Sequence, residues 1–296
     1  MSDRLAALRL FVRVARTGSF SRGGRALGLS QPSASRAIAS LEAEVGVALF
    51  TRSTRAVVLT DAGSDYLVRI EALLAGLDEA DEAARGTGAL RGLLRVALPT
   101  SLASREVVPR LPAFIDAHPA LRIELRVEDQ RQDLLREGID VALRFGALAD
   151  SSAVARLVSS NPRLLAAAPS YLAKAGPLAH PDDLATHRIV LGPPGTTPGA
   201  WSFEREGRTV SASVESQLTV TSNEGAVAAA VAGLGIVSTG YWGCRNELDA
   251  GLLMPVLGEW KLAPSPLYAV FPAGRAATAA ARAFIEYLAQ GLGQHG

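Results

Sequence analysis

Apolar side chains recur at helical spacing through the first 45 residues. Leu5, Leu8, Phe11, Val12 and Ala15 share one side of a helix predicted over 4–16. Ala34, Ile38, Leu41 and Val45 then recur at +4, +3 and +4, a seam along a second predicted helix that begins near Gln31. Ser30 is placed to cap that helix, and Pro32 falls in its first turn, where a missing N–H costs nothing. Between them lies a short helix over about 21–27, opened by Ser19 or Ser21 after Gly18 and ended by Gly28. Two helices joined by a short turn containing Gly make a helix-turn-helix. Opposite its seam, the 31–45 helix carries Ser33, Arg36, Ala39, Ser40 and Ala43, one long cation among small side chains. Such a face suits a major groove about 12 Å wide, and equally an ordinary surface helix. The neighbouring segments decide between them.

Ala48, Phe50 and Arg52 alternate, as do Arg55, Val57 and Leu59, around Ser53–Thr54. This predicts a two-stranded wing with Arg at its tip. Thr60 and Asp61 form a helix start, and Tyr66, Ile70, Leu73, Leu77, Ala80 and Ala84 follow at heptad spacing. So narrow a seam suits pairing with another helix; Gly86–Gly88 end it. From about residue 90 the pattern switches to alternating strands (93–99, 121–127, 140–146, 164–170 running into a turn, 188–192, 216–220, 234–239, 266–272) and helices (103–117, 131–137, 224–232, 276–291). That order predicts an α/β domain with largely parallel sheets, and the Pro/Gly-rich run 192–200 favours two lobes over one slab.

Charge sharpens the picture. Residues 1–60 hold nine Arg against three acids, and residues 61–90 hold two Arg against seven. A basic amino-terminal module is the footprint expected for nucleic acid. Because 28 of the 30 basic residues are Arg, clustering carries more weight than identity. Cys244 is the only cysteine, which excludes an internal disulfide and a multi-thiolate metal site. Neither a secretory signal nor a long apolar span is visible, so a cytoplasmic location is expected. His118, His180, His187 and His295 lack metal-ligand spacing, and no phosphate loop, dinucleotide motif or nucleophile elbow is present, so no cofactor and no enzymatic activity are expected. Hydroxyls and amides instead sit at helix starts after strand ends: Thr100 and Ser101 after one strand, Ser222 and Asn223 after another. Each pair alone is an ordinary cap; together they suggest a small-ligand cleft. The cleft candidates Thr100, Ser101, Phe145 and Asn223, with Arg144 nearby, suit a small anion or carboxylate with an apolar part.

Phe11, GSF (18–20), Leu27, SQPSASRAI (30–38), LE (41–42), LF (49–50), Arg52, Arg55, LT (59–60) and AG (62–63) stand in the order and spacing of the LysR-type transcriptional regulators. The chain resembles that family over essentially its whole length, more loosely through DLLREGIDVALRFG (133–146), PSYLA (169–173), DDLATHR (182–188), AGLGIVS (232–238) and PLYAVFP (266–272). The resemblance implies an α+β multidomain protein. A winged helix-turn-helix would occupy 1–60 and a long linker helix for dimerisation 61–88. An effector-binding domain over 89–296 would resemble type 2 periplasmic solute-binding proteins, with lobe 1 at about 89–162 and 267–296 and lobe 2 at about 163–266. By the same resemblance Gln31, Ser33, Ser35 and Arg36 enter the major groove or touch its phosphates, and Arg52 and Arg55 serve the wing. The implied partners are double-stranded DNA bearing a pseudo-palindromic operator, a small-molecule effector, further copies of the chain as dimer and tetramer, and RNA polymerase. Glu42 lies toward the seam and is expected to be structural. Gly23 and Gly24 stand where the family usually has two Ala, which predicts a locally weaker second helix. A solute-binding protein and an α/β enzyme remain the alternatives. The basic module opposes the first, and the missing nucleophile–base pair opposes the second.

Overall fold

Helices α1 (Arg4–Thr17), α2 (Phe20–Arg25) and α3 (Gln31–Val45) close around one apolar core. The computed structural model describes residues 4–52, 57–85, 89–130, 133–146, 154–193, 199–272 and 277–293. They form two compact units, the chain up to Gly92 with Asp133–Gly138, and the remainder. In the first unit Phe11, Ala34, Ile38 and Leu41 are at most 1% exposed, so the apolar seams of α1 and α3 face each other as their spacing predicts. Wing strands β1 (Phe50–Arg52) and β2 (Val57–Leu59) pair antiparallel, Phe50 opposite Leu59 and Arg52 opposite Val57.

The glycines of α2 have a packing role. A Cβ on Gly23 would lie 2.7 Å from Val14 Cγ2 and 2.9 Å from Val14 N; one on Gly24 would lie 3.0 Å from Ala34 Cβ and Leu29 O. Propensity lost in α2 is therefore exchanged for close approach to α1 and α3. Gly23→Ala is expected to lower stability by about 1–3 kcal/mol through overpacking. A urea midpoint equal to or above that of the parent chain would contradict this reading.

Helix α4 (Asp61–Arg85) starts where Thr60 Oγ1 accepts the Gly63 N–H at 2.9 Å and donates to Ala48 O at 2.8 Å. A Cβ on Gly63 would stand 2.0 Å from Leu49 O, so the helix passes hard against the backbone leading into the wing. The heptad seam does not stay whole. Ile70 is buried in the local core together with the off-seam Leu74, and Tyr66 packs on Phe11 at 5.4 Å. Leu73 is 55% exposed. The first half of α4 thus lies on its own module, because Phe11 and Phe50 offer it an apolar bed.

The second unit runs β3 (Gly92–Leu98), α5 (Thr100–Leu102), α6 (Leu111–Ala117), β4 (Leu121–Val127), β5 (Val141–Phe145), β6 (Val154–Asn161) and β7 (Arg163–Ala167). It continues with α7 (Pro169–Leu172), β8 (Ile189–Leu191), β9 (Gly199–Arg205), β10 (Arg208–Val214), β11 (Ser216–Thr219), α8 (Asn223–Val231) and β12 (Ile236–Gly240). The last elements are α9 (Arg245–Asp249), β13 (Met254–Val256), β14 (Lys261–Leu262), β15 (Ser265–Phe271) and α10 (Ala279–Leu292). Two five-stranded sheets result, in the orders β4-β3-β5-β15-β6 and β11-β8-β12-β7-β13, with β10-β9-β14 as a third, smaller one.

The sheets are mixed, against the expectation of largely parallel ones. β3–β5, β8–β11 and β8–β12 are parallel, whereas β15 runs antiparallel to β5 and β6, and β7 antiparallel to β12 and β13. The reversed strand of each sheet is the first one laid down after the chain crosses over from the other sheet. It enters from the end where its neighbours finish, so it must run against them. The hairpin β9–β10, and strands β6, β13 and β14, have no counterpart in the sequence reading.

Two helix expectations also change. Residues 100–117 form a broken helical run: α5, a π turn over Ala103–Val107, a 3₁₀ turn over Val108–Arg110, then α6. Pro109 and Pro112 remove two N–H donors and prevent a regular α-helix there. Within the region expected to be a helix at 131–137, Leu134–Gly138 is only a turn. Asp133 Oδ1 accepts the Leu135 and Arg136 N–H groups and holds it; residues 131–132 lie outside the described residues.

Candidate nucleic-acid interface and effector cavity

Burial of the α3 seam leaves Arg36, Ala39, Ser40 and Ala43 exposed on the opposite side, with Ser33 half-buried beside them. Ser30 Oγ accepts the Ser33 N–H at 3.3 Å and donates to Ser33 Oγ at 2.9 Å, which fixes the helix start. Gly46, at φ 80°, closes the other end in the left-handed conformation that L side chains avoid. Gln31 and Arg36 are exposed, and neither side chain has a hydrogen bond or ion pair with any described residue. Ser35 is half-buried and already holds a partner. Arg52 lies on β1 of the wing, and Arg55 lies outside the described residues. Glu42 Oε1 accepts the N–H groups of Leu49 at 2.9 Å and Phe50 at 3.0 Å. It fastens the wing strand to α3, the structural role its position implies.

In the second unit a cavity of about 500 Å³ opens where strand ends of the two large sheets converge. Ser101, Phe145 and Asn223 line it, as expected, and so does Arg144, which is half-buried and already has a partner. Thr100 is not part of the lining; its N–H donates to Asp129 Oδ1 at 2.9 Å and its carbonyl accepts from Ser104. The Asn223 amide is committed to the fold, donating to Gly243 O at 3.2 Å and accepting from Thr239 Oγ1 at 2.6 Å. The lining includes groups that sequence reasoning missed. Asn161 is 4% exposed, and its Oδ1 accepts the Trp242 N–H at 3.2 Å. Trp242 faces Phe145 at 6.2 Å between ring centroids. Arg163 begins β7, and its Nη2 donates to Ser238 Oγ at 2.7 Å. The usable signal is Asn161 and Arg163, polar residues on either side of Pro162 at the strand-to-strand crossing.

Beside the cavity a charge cluster ties the two halves of this unit together. The Arg105 guanidinium, on the π turn, binds Glu224 through Nε at 3.1 Å and Nη2 at 2.8 Å, and Glu247 through Nη1 at 2.7 Å and Nη2 at 2.9 Å. Arg105 belongs to the half containing β3, and Glu224 and Glu247 to the half containing β12. The Arg105 hydrogen bonds hold the Glu247 carboxyl below the usual carboxylate range, against an opposing effect of burial. Glu106, 1% exposed, pairs with Arg110 at 2.8 Å. Its Oε1 lies 3.3 Å from Arg245 Nη1 without a hydrogen bond's alignment.

Cys244 is fully buried, and burial, then the nearby Glu247 charge, push its thiol up to about 12. At pH 8 it stays protonated, so it is expected to ignore Ellman's reagent until urea unfolds the chain. A full equivalent of thiol reacting within minutes in the native protein would contradict that. His187 is a packing residue, with Tyr171 Oη 3.1 Å from its Nδ1. His180 caps the turn Pro181–Thr186, where its Nδ1 accepts the Asp182 N–H at 3.3 Å.

A capped helix with an open face, a wing fastened to it and a separate two-lobed α/β domain define a winged helix-turn-helix regulator with an appended ligand-binding domain. Comparison with known proteins agrees at both ends. Residues 5–64 match the model for the bacterial regulatory helix-turn-helix protein of the lysR family, and residues 87–293 match the LysR substrate binding domain. The chain belongs to the LysR family of transcriptional regulators, whose members bind DNA and small-molecule effectors and oligomerise. It is 33% identical over 290 residues to the HTH-type transcriptional regulator YhjC of Escherichia coli K12, covering 97% of each chain. It is also 33% identical over 295 residues to an HTH-type transcriptional repressor of Pseudomonas aeruginosa, covering 97% of this chain and 91% of that one. Among solved structures it resembles CrgA, a LysR-type regulator from Neisseria meningitidis, with a TM-score of 0.61, 28% identity and coverage of 97% and 98%.

Proposed function

We propose that this regulator binds a pseudo-palindromic operator and that a small molecule in the inter-lobe cavity modulates its binding or the bend it imposes on DNA. The single observation that carries the DNA half is Arg36, an exposed guanidinium without a partner among the described residues, on a face of small side chains. In this reading residues 1–60 are the DNA-binding module, with Gln31, Ser33, Ser35 and Arg36 in the major groove and Arg52 and Arg55 on the wing. Residues 61–88 pair two chains, for which the exposed Leu73 is available. Residues 89–296 sense the effector, lobe 1 comprising about 89–162 and 267–296 and lobe 2 about 163–266. Two-fold pairing of recognition helices sets half-sites whole helical turns apart. Two such dimers assemble as a tetramer, and RNA polymerase is a further partner.

The proposed effector is a small, anionic molecule. Ser101 and Phe145 meet it directly, Asn223 forms part of the wall with its amide held by the fold, and Thr100 supports the wall from behind through the hydrogen bonds described above. Effector binding shifts the population between lobe settings. In this reading the protein acts in the cytoplasm and is not an enzyme; its relatives are transcriptional regulators. Fluorescence anisotropy on DNA from upstream of the chain's own gene tests the reading. The logarithm of affinity should fall steeply and linearly with the logarithm of salt concentration, through counterion release. A flat plot would remove the DNA half.

A further inference from the structure

Arg163, a partly buried cation in the cavity lining, has no carboxylate within ion-pair distance among the described residues. Arg105, Arg110, Arg245 and Arg95 are partly buried, and each has a carboxylate within 3.3 Å. Arg163 is partly buried too, but it has only the Ser238 hydroxyl and makes no ion pair with any described residue. Burial pushes its guanidinium down from its ordinary value. A guanidinium nevertheless keeps its charge, so the cost of desolvation is not relieved by losing a proton. Four of its five N–H donors have no partner among the described residues.

The surroundings narrow what would satisfy them. Both ends of the Asn223 amide, which also lines the cavity, are bonded within the fold, and Asn161 Oδ1 is taken by the Trp242 N–H; neither amide carries a charge. Phe145 and Trp242 supply an aromatic wall, and Ala142, Leu143 and Pro266 add apolar surface. Glu128 and Asp129 also line the cavity and disfavour a multiply charged anion. A planar fork beside a flat apolar wall is complementary to a carboxylate on an apolar or aromatic body.

We propose that Arg163 is the anchor for a single carboxylate and that the effector is an organic monocarboxylate whose apolar body lies against Phe145 and Trp242. The assignment rests on the cavity being the effector site. It gives Arg163, through a bidentate pair, the specificity-determining role in a cleft for which the sequence names Thr100, Ser101, Phe145 and Asn223, with Arg144 nearby.

The test is thermal denaturation and calorimetry of the full chain with benzoate, hexanoate and 3-phenylpropanoate, each beside its primary amide, and with inorganic phosphate. At least one carboxylate should raise the melting temperature, while its amide and phosphate do not. Arg163→Gln should lose about 10- to 150-fold in affinity for that carboxylate, as expected for charge-assisted hydrogen bonds. Arg163→Lys should recover part of the loss. Without ligand, Arg163→Gln should melt at the same temperature or higher, because it removes an uncompensated charge; a clear fall would make Arg163 structural and overturn the anchor. Amides or phosphate binding as well as carboxylates would overturn the ligand class and leave the cavity assignment standing. A null across the whole panel would also overturn the class. The cavity assignment itself falls only if neutral and cationic metabolite mixtures leave melting unchanged as well.

Discussion

Arg36→Ala will weaken operator binding by about 1–3 kcal/mol per half-site, roughly 5- to 150-fold, without changing the melting temperature. The first part follows from geometry. Arg36 is the one long side chain on the open face of α3, and a guanidinium reads guanine O6 and N7 through two parallel hydrogen bonds. The second follows from exposure, since a surface cation with no described partner contributes little to folding. Loss of affinity should be largest on operator DNA and smallest on random DNA, because a phosphate contact would weaken both alike. A footprint titration in which Arg36→Ala matches the parent chain would refute the groove assignment. With so few long side chains on the face, the wing and the shape of the DNA must supply the remaining discrimination.

Arg105→Ala should destabilise the ligand-binding domain by about 3 kcal/mol. For a domain of this size that corresponds to a fall of roughly 6–12 °C in melting temperature. Arg105 has a side chain only 11% exposed and holds two carboxylates from the other half of the domain. Removing it leaves both facing each other without a counter-charge. Arg105→Lys should recover only part of the loss, because an ammonium cannot engage two carboxylates in a planar fork. The bridge also sets a pH dependence. Glu247 titrates below its unfolded value, so its contribution is complete above the unfolded carboxylate value of about 4.3. It fades as pH falls through the lower folded value. The parent chain should therefore lose stability on acidification below about pH 4.3 more steeply than Arg105→Ala does. Equal melting temperatures for the two proteins at pH 7 would show that the bridge does not hold the lobes.

The amino-terminal module was legible almost residue by residue because its signals are local. Ser30, Thr60 and Gly18 cap helices with their own side chains or backbone, and the Ala34–Ile38–Leu41 spacing alone assigns the buried face. Glu42 was legible too, since its angular position puts it beside the seam. Where tertiary packing overrides local pattern, the sequence misleads. Gly23 and Gly24 look like weak points until Val14 and Ala34 are seen pressed against them, and the α4 seam looks continuous until Phe11 draws Tyr66 and Ile70 inward. The cavity was legible only in outline. Hydroxyls after strands marked the right strand ends, and Ser101 and Phe145 do reach the space. Periodicity carries no information on which polar group has its hydrogen bonds filled elsewhere. That is why Asn223 stood out although it is spent on Gly243 and Thr239, and Arg163 did not although it lines the cavity with a single hydroxyl as its partner among the described residues. The cross-lobe bridge joins residues 119 and 142 positions apart, a distance over which no local pattern speaks.

The claim on which everything else depends is sequence-specific DNA binding by paired recognition helices, and a footprinting titration at low salt reads it directly. On DNA from upstream of the chain's own gene, the account predicts protection of a pseudo-palindrome whose half-sites are separated by whole helical turns, about 10–10.5 base pairs or a multiple, on one face of the duplex. Uniform weak protection along the fragment, or none at any concentration, would contradict it.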